Sequence, residues 1–144
     1  MVYLLGNVYN LLLFKIIINI YNNKMFPFHG QHYLSSFLEC DRNALSDVET
    51  LRITVRDGIK ASGATLLQEC THRFDKDACT MVFLLSESHC SLHTYTEYGS
   101  VFIDLFTCGT ICHYKGFEDI MEAYLQPKRI VRSVVERGET HTLL

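Results

Sequence analysis

Two apolar segments, Ala64 to Phe74 and Thr80 to Leu85, both read as strands, and only residues 75–79 lie between them. Parallel neighbours need a crossover of a dozen or more residues, usually a helix. A five-residue link that opens on the charged Asp75-Lys76-Asp77 cannot supply one. These two strands must therefore run antiparallel, which excludes an all-parallel doubly wound or barrel fold.

The rest of the chain fits that constraint. Tyr33 to Cys40, Ser100 to Cys108 and Lys128 to Glu136 read as further strands. Ser46-Asp-Val-Glu49 has the Ser-x-x-Glu form of a capping box. Val48, Leu51, Val55 and Ile59 follow at helical spacing, and Gly63 is placed to stop that helix. Phe117, Ile120, Met121, Tyr124 and Leu125 form a second amphipathic face, closed by Pro127. The expected class is α+β, a two-layer sandwich in which helices pack on one face of a mainly antiparallel sheet.

At 144 residues and 48% hydrophobic, the chain suffices for one domain with a real core and not for two. Residues 1–24 contain no acidic residue and read as an N-terminal extension outside the fold, with the domain spanning 25–144. The apolar stretch Leu11 to Ile20 is interrupted by Lys15 and Asn19 and is too short to span a bilayer, so no membrane partner is expected. Nor does it follow the order of a secretion signal, which places positive charge before the apolar region. With 13 basic against 16 acidic residues and no basic run, nucleic acid is not an expected partner. Six cysteines at scattered spacings read as reduced thiols in a cytoplasmic protein. Cys108, Cys112 and His113 suggest zinc, but no second close pair completes four ligands, so no metal is expected.

The densest reactive stretch is Leu85 to Gly99, which joins two apolar strands and carries Ser86, Glu87, Ser88, His89, Ser91, His93 and Glu97. By itself it allows a Ser–His nucleophile, a metal site from His89, His93 and Glu97, or a surface hairpin without chemistry. The metal spacing aligns only on a helix, which the β-branched and aromatic neighbours oppose.

Ser86-Glu-Ser-His-Cys-Ser-Leu-His-Thr94, Glu97-Tyr-Gly99 and Ile103-Asp-Leu-Phe-Thr-Cys-Gly109 resemble the bacterial and archaeal type of S-adenosylmethionine decarboxylase proenzyme. Upstream, Gly30-x-His32, Glu39-Cys-Asp-Arg42, Ser62-Gly-Ala-Thr65 and His72-Arg-Phe74 occur in the same order. The resemblance covers roughly residues 26–137. It implies self-cleavage between Glu87 and Ser88 by attack of the Ser88 hydroxyl on the Glu87 carbonyl. The ester so formed then eliminates the Glu87 carboxylate, and Ser88 becomes a pyruvoyl group. That group forms a Schiff base with the substrate amine and accepts the electrons left when CO2 departs, as pyridoxal phosphate does elsewhere.

The same resemblance implies His93 as the base for the α-proton of Ser88, a task suited to an imidazole. It implies Cys108 as proton donor to the decarboxylated carbon, Thr80 as a hydroxyl used in processing, Glu97 as ligand of the ribose hydroxyls, and Phe74 and Tyr95 as partners for adenine. It implies a homodimer with sites between protomers and a place in spermidine synthesis. The sequence departs from the family pattern at three places. Tyr95-Thr96 replaces the usual Trp-Pro, Ala78-Cys-Thr-Met81 replaces a Gly-Val-Ser-Gly-like loop, and Asp75-Lys-Asp77 is more acidic than usual. An acidic pocket leaves ornithine or arginine open as substrate, and a catalytically dead regulatory homologue is a third alternative.

Overall fold

Strand β1 (His29–Leu38) is hydrogen-bonded on both sides, antiparallel to β5 (Ser100–Cys108) and to β6 (Arg129–Gly138). The remaining strands are β2 (Leu66–Arg73), β3 (Cys79–Leu85) and β4 (Ser88–Tyr95). They complete one six-stranded sheet of order β2-β3-β4-β5-β1-β6 in which every pairing is antiparallel. This is a computed structural model, and it describes residues 29–109 and 111–138. The expected extension 1–24 lies outside the described residues.

Among the described residues three α-helices accompany the sheet: α1 (Arg42–Ser46), α2 (Val48–Ala61) and α3 (Tyr114–Leu125). Alternate residues of the inner strands, including Tyr33, Phe37, Met81, Phe83, Ile103 and Leu105, are fully buried with Leu51, Ile59, Phe117, Met121 and Leu125 of α2 and α3. Each large side chain so buried contributes about 1.5–3 kcal/mol relative to exposure. The helices cross closely at Gly58, where a Cβ would stand 2.9 Å from the Phe117 ring. Among the described residues the other sheet face carries no helix, and Val82, Leu84, Phe102 and Val135 are 43–48% exposed on it. The α+β sandwich with helices on one face is the architecture the sequence led us to expect.

Two local expectations need correction. Asp47, not Ser46, caps α2, its side chain accepting the Thr50 N–H at 3.1 Å. Ser46 is instead the last residue of α1, a short helix the sequence reading missed, and Glu49 turns outward to pair with Arg52 and Arg73. The stretch from Leu85 to Gly99 is neither a simple link nor a surface hairpin. Most of it is β4, an interior strand between β3 and β5. Its inward set, Cys90, Leu92 and Thr94, is short and partly polar, so the two-residue period was faint. Asp75–Asp77 lies in the expected loop, between β2 and β3, and makes a short 3-10 turn there. Gly63 follows the end of α2 with φ of +88°, as a helix-stopping glycine should.

Candidate active site

Because side chains alternate along a strand, His89, Ser91, His93 and Tyr95 of β4 all face the uncovered side of the sheet, away from the helices. They divide the site residues into two groups, one at each end of β4.

The first group surrounds the start of β4. Ser88 Oγ lies 3.2 Å from His89 Nδ1. The carbonyl of Glu87, immediately before it, accepts the backbone N–H of Cys108 at 3.1 Å. The Glu87 carboxylate is held separately, accepting the Thr65 N–H at 2.8 Å. Cys108 ends β5 with its side chain exposed, whereas burial pushes the thiols of Cys79 and Cys90 upward. The His89 ring leans on Phe106 at 5.7 Å and meets His32 edge-on at 6.2 Å. Arg137 sits over the opposite side of this patch, 4.4 Å from the Phe106 ring centre. Burial lowers the His32 pKa against the pull of Asp104, and Arg137 and His89 add to the lowering. His32 Nε2 is buried without a hydrogen-bond partner among the described residues.

The second group lies at the far end. Thr80 and His93 are cross-strand partners, with Thr80 Oγ1 2.6 Å from His93 Nδ1. The rings of Phe74, His93, Tyr95 and Phe102 follow one another at 5.6, 4.6 and 5.0 Å. Beside them opens a cleft of about 470 Å³, lined by Phe74, Asp75, Lys76, Ala78, His93, Thr94, Tyr95 and Glu97. Glu97 is placed by a 3-10 turn, Thr96–Tyr98, whose Glu97 carbonyl accepts Arg42 Nη2 at 3.4 Å. Thr96 Oγ1 donates to the Lys76 carbonyl at 3.0 Å and so ties the two walls of the cleft together.

The structure therefore gathers Ser88, Glu87 and Cys108 at one end and Thr80, His93, Phe74, Tyr95 and Glu97 at the other. Five residues of strand from Ser88 to His93 span about 17 Å. His89 and His93 are likewise too far apart along β4 to share an ion. Among the described residues no group of three or more His, Cys, Asp or Glu is arranged to hold a metal. One contact escaped the sequence reading, the backbone N–H of Cys108 on the Glu87 carbonyl, because nothing local reports a bond between residues 87 and 108. The sequence presents His89 only within the reactive stretch and as a metal candidate, whereas the structure sets its Nδ1 3.2 Å from Ser88 Oγ.

These features define a two-layer α+β sandwich whose interior strand β4 carries the reactive stretch. The S-adenosylmethionine decarboxylase family model matches residues 31–138, and the chain belongs to that family. It is 39% identical over 110 residues to the S-adenosylmethionine decarboxylase proenzyme of Thermotoga maritima, covering 76% of this chain and 84% of that one. It is 44% identical over 80 residues to the proenzyme of Synechococcus sp., covering 56% and 62%. The crystal structure of the adenosylmethionine decarboxylase of Aquifex aeolicus superposes with a TM-score of 0.73 at 30% identity, covering 81% of this chain and 96% of that one.

Proposed function

We propose that this chain is a proenzyme that cuts itself between Glu87 and Ser88 and then decarboxylates S-adenosylmethionine for polyamine synthesis. The observation that carries the reading is the Cys108 N–H bonded to the Glu87 carbonyl beside the Ser88 hydroxyl. A fixed donor on the carbonyl under attack stabilises the oxyanion that attack creates. The groups at this bond thus fit conversion of Ser88 to a pyruvoyl group, which supplies an electron sink for loss of CO2.

Around it, the exposed Cys108 thiol is the proton donor to the carbon that loses CO2. His93, oriented by Thr80, takes the α-proton of residue 88 during processing. Glu97 accepts the ribose hydroxyls, and Phe74 and Tyr95 flank adenine in the cleft. No metal is invoked. The functional unit is the domain 25–144, without nucleic-acid or membrane partners and cytoplasmic. Six unpaired thiols support that compartment, and no helix among the described residues is long and apolar enough to cross a membrane.

The roughly 17 Å between the two groups supports a homodimer. Two copies related by a two-fold axis, packed through the uncovered sheet faces, bring the Ser88 end of one β4 toward the His93 end of its partner. The apolar side chains exposed there supply a surface for that contact. The test combines a denaturing gel with CO2 release from S-adenosylmethionine, ornithine and arginine. Two fragments and release from S-adenosylmethionine alone are expected. Co-expressed Ser88→Ala and His93→Ala chains should recover processing that neither shows alone. One intact wild-type chain, or release from ornithine or arginine only, defeats the reading.

A further inference from the structure

We propose that His89 is the catalytic base for the first step of self-cleavage, the shift of the Glu87 acyl group from the Ser88 nitrogen to its hydroxyl. The inference rests on the reading that the chain is cut between Glu87 and Ser88. Three observations carry it. Ser88 Oγ is 3.2 Å from His89 Nδ1, within reach for direct proton transfer. The Glu87 carboxylate, a second possible base beside the bond, is engaged elsewhere, accepting the Thr65 N–H at 2.8 Å. His93 is about five residues of strand distant, roughly 17 Å, and cannot reach Ser88 of its own chain.

The His89 ring, exposed on its outer side, packs against Phe106 at 5.7 Å and His32 at 6.2 Å, which are themselves 5.4 Å apart. Contacts of this kind narrow the rotation of a ring relative to one free in water. With its own proton on Nε2, His89 Nδ1 accepts the Ser88 hydroxyl proton as Oγ bonds to the Glu87 carbonyl carbon. The carbonyl oxygen takes the negative charge against the Cys108 N–H. As that charge returns to the carbonyl, the bond from Glu87 carbon to Ser88 nitrogen breaks. The proton held on Nδ1 passes to the departing nitrogen. The products are an ester between Glu87 and the Ser88 hydroxyl, a free amine on Ser88 and a neutral His89. Nucleophile, base and oxyanion donor all belong to one chain, so this step proceeds before any partner contributes its His93.

The two histidines then block different stages, and hydroxylamine tells them apart because it cuts esters and spares amides. His89→Ala and His89→Gln should slow fragment formation by about a hundredfold. The intact chain that accumulates should resist hydroxylamine, and added imidazole should restore part of the rate to His89→Ala. His93→Ala should instead accumulate an intact chain that hydroxylamine splits at residue 87. Gln keeps the size and hydrogen-bonding of the ring without its basicity, and thermal melts of both variants check the fold. Wild-type cleavage rates in both His89 variants, or hydroxylamine-sensitive chains in them, overturn the assignment. A wild-type chain that never cleaves overturns instead the self-processing reading on which it rests.

Discussion

Thr80 and His93 face each other across the β3–β4 pairing, hydroxyl to imidazole at 2.6 Å. A hydrogen bond of this kind fixes which ring nitrogen carries the proton and where the other one points. Thr80→Val keeps the shape and removes the partner. Self-cleavage should slow by about threefold to tenfold, the value of one hydrogen bond of roughly 0.5–1.5 kcal/mol. Thr80→Ser should stay close to wild type. A gel time course of fragment formation decides it, and equal rates for Val and Ser would remove the hydroxyl from the mechanism.

Cys108 contributes through two different groups. Its backbone N–H holds the Glu87 carbonyl, while its side chain is exposed at the end of β5. Cys108→Ala retains the first and loses the second. The variant should still cut itself to a large extent yet lose most CO2 release, by about a hundredfold or more. Full decarboxylation by Cys108→Ala would reduce the thiol to a bystander.

Glu97 lines the cleft with Phe74 and Tyr95, far along β4 from the scissile bond. If it accepts ribose hydroxyls, Glu97→Gln should weaken S-adenosylmethionine use by about tenfold or more, since charged hydrogen bonds contribute roughly 1.5–3 kcal/mol. Fragment formation should be spared. Steady-state kinetics on the cleaved protein beside a gel separate the two effects, and slowed fragment formation with unchanged kcat/KM of the cleaved form would contradict the placement.

The helical layer is anchored by a buried carboxylate. Glu118 on α3 is fully buried, accepts hydrogen bonds from Tyr33 Oη at 2.7 Å and Lys115 Nζ at 3.2 Å, and forms an ion pair with Arg132 Nε at 3.0 Å. Burial raises the Tyr33 pKa strongly, Glu118 adding to the rise. Tyr33→Phe leaves the carboxylate one donor short inside the core. Stability should fall by about 1–3 kcal/mol. Urea unfolding monitored by circular dichroism gives the value, and an unchanged midpoint would show that the other two partners suffice.

Glu69 ties the edge strand β2 to α2 through Arg56 Nε at 2.7 Å and Arg52 Nη1 at 2.6 Å. The Arg56 hydrogen bond chiefly, and Arg52 with it, hold its carboxyl below the ordinary value despite partial burial. A carboxylate lowered in the folded state stabilises above its unfolded pKa, and that gain disappears as pH falls through the folded value. Wild type should therefore lose more stability than Glu69→Gln between about pH 5 and pH 3. Urea midpoints across that window measure the difference, and parallel curves would assign the acid sensitivity elsewhere.

Much of the fold was legible along the chain because element type is a local property. The five-residue link before β3 dictated a hairpin, and the spacing of Val48, Leu51, Val55 and Ile59 dictated the helix that covers it. The blocks around Ser88, His93, Glu97 and Cys108 carried the family. What the sequence blurred was β4, since its outward side chains are the reactive ones and its inward side chains are small. Only the tertiary structure decided that Ser88 and His93 stand at opposite ends of one strand, that the Ser88 hydroxyl turns to Nδ1 of His89, and that Cys108 reaches the Glu87 carbonyl. Those relationships depend on strand register, set by packing and hydrogen bonds summed over the whole sheet, and no short segment encodes that sum.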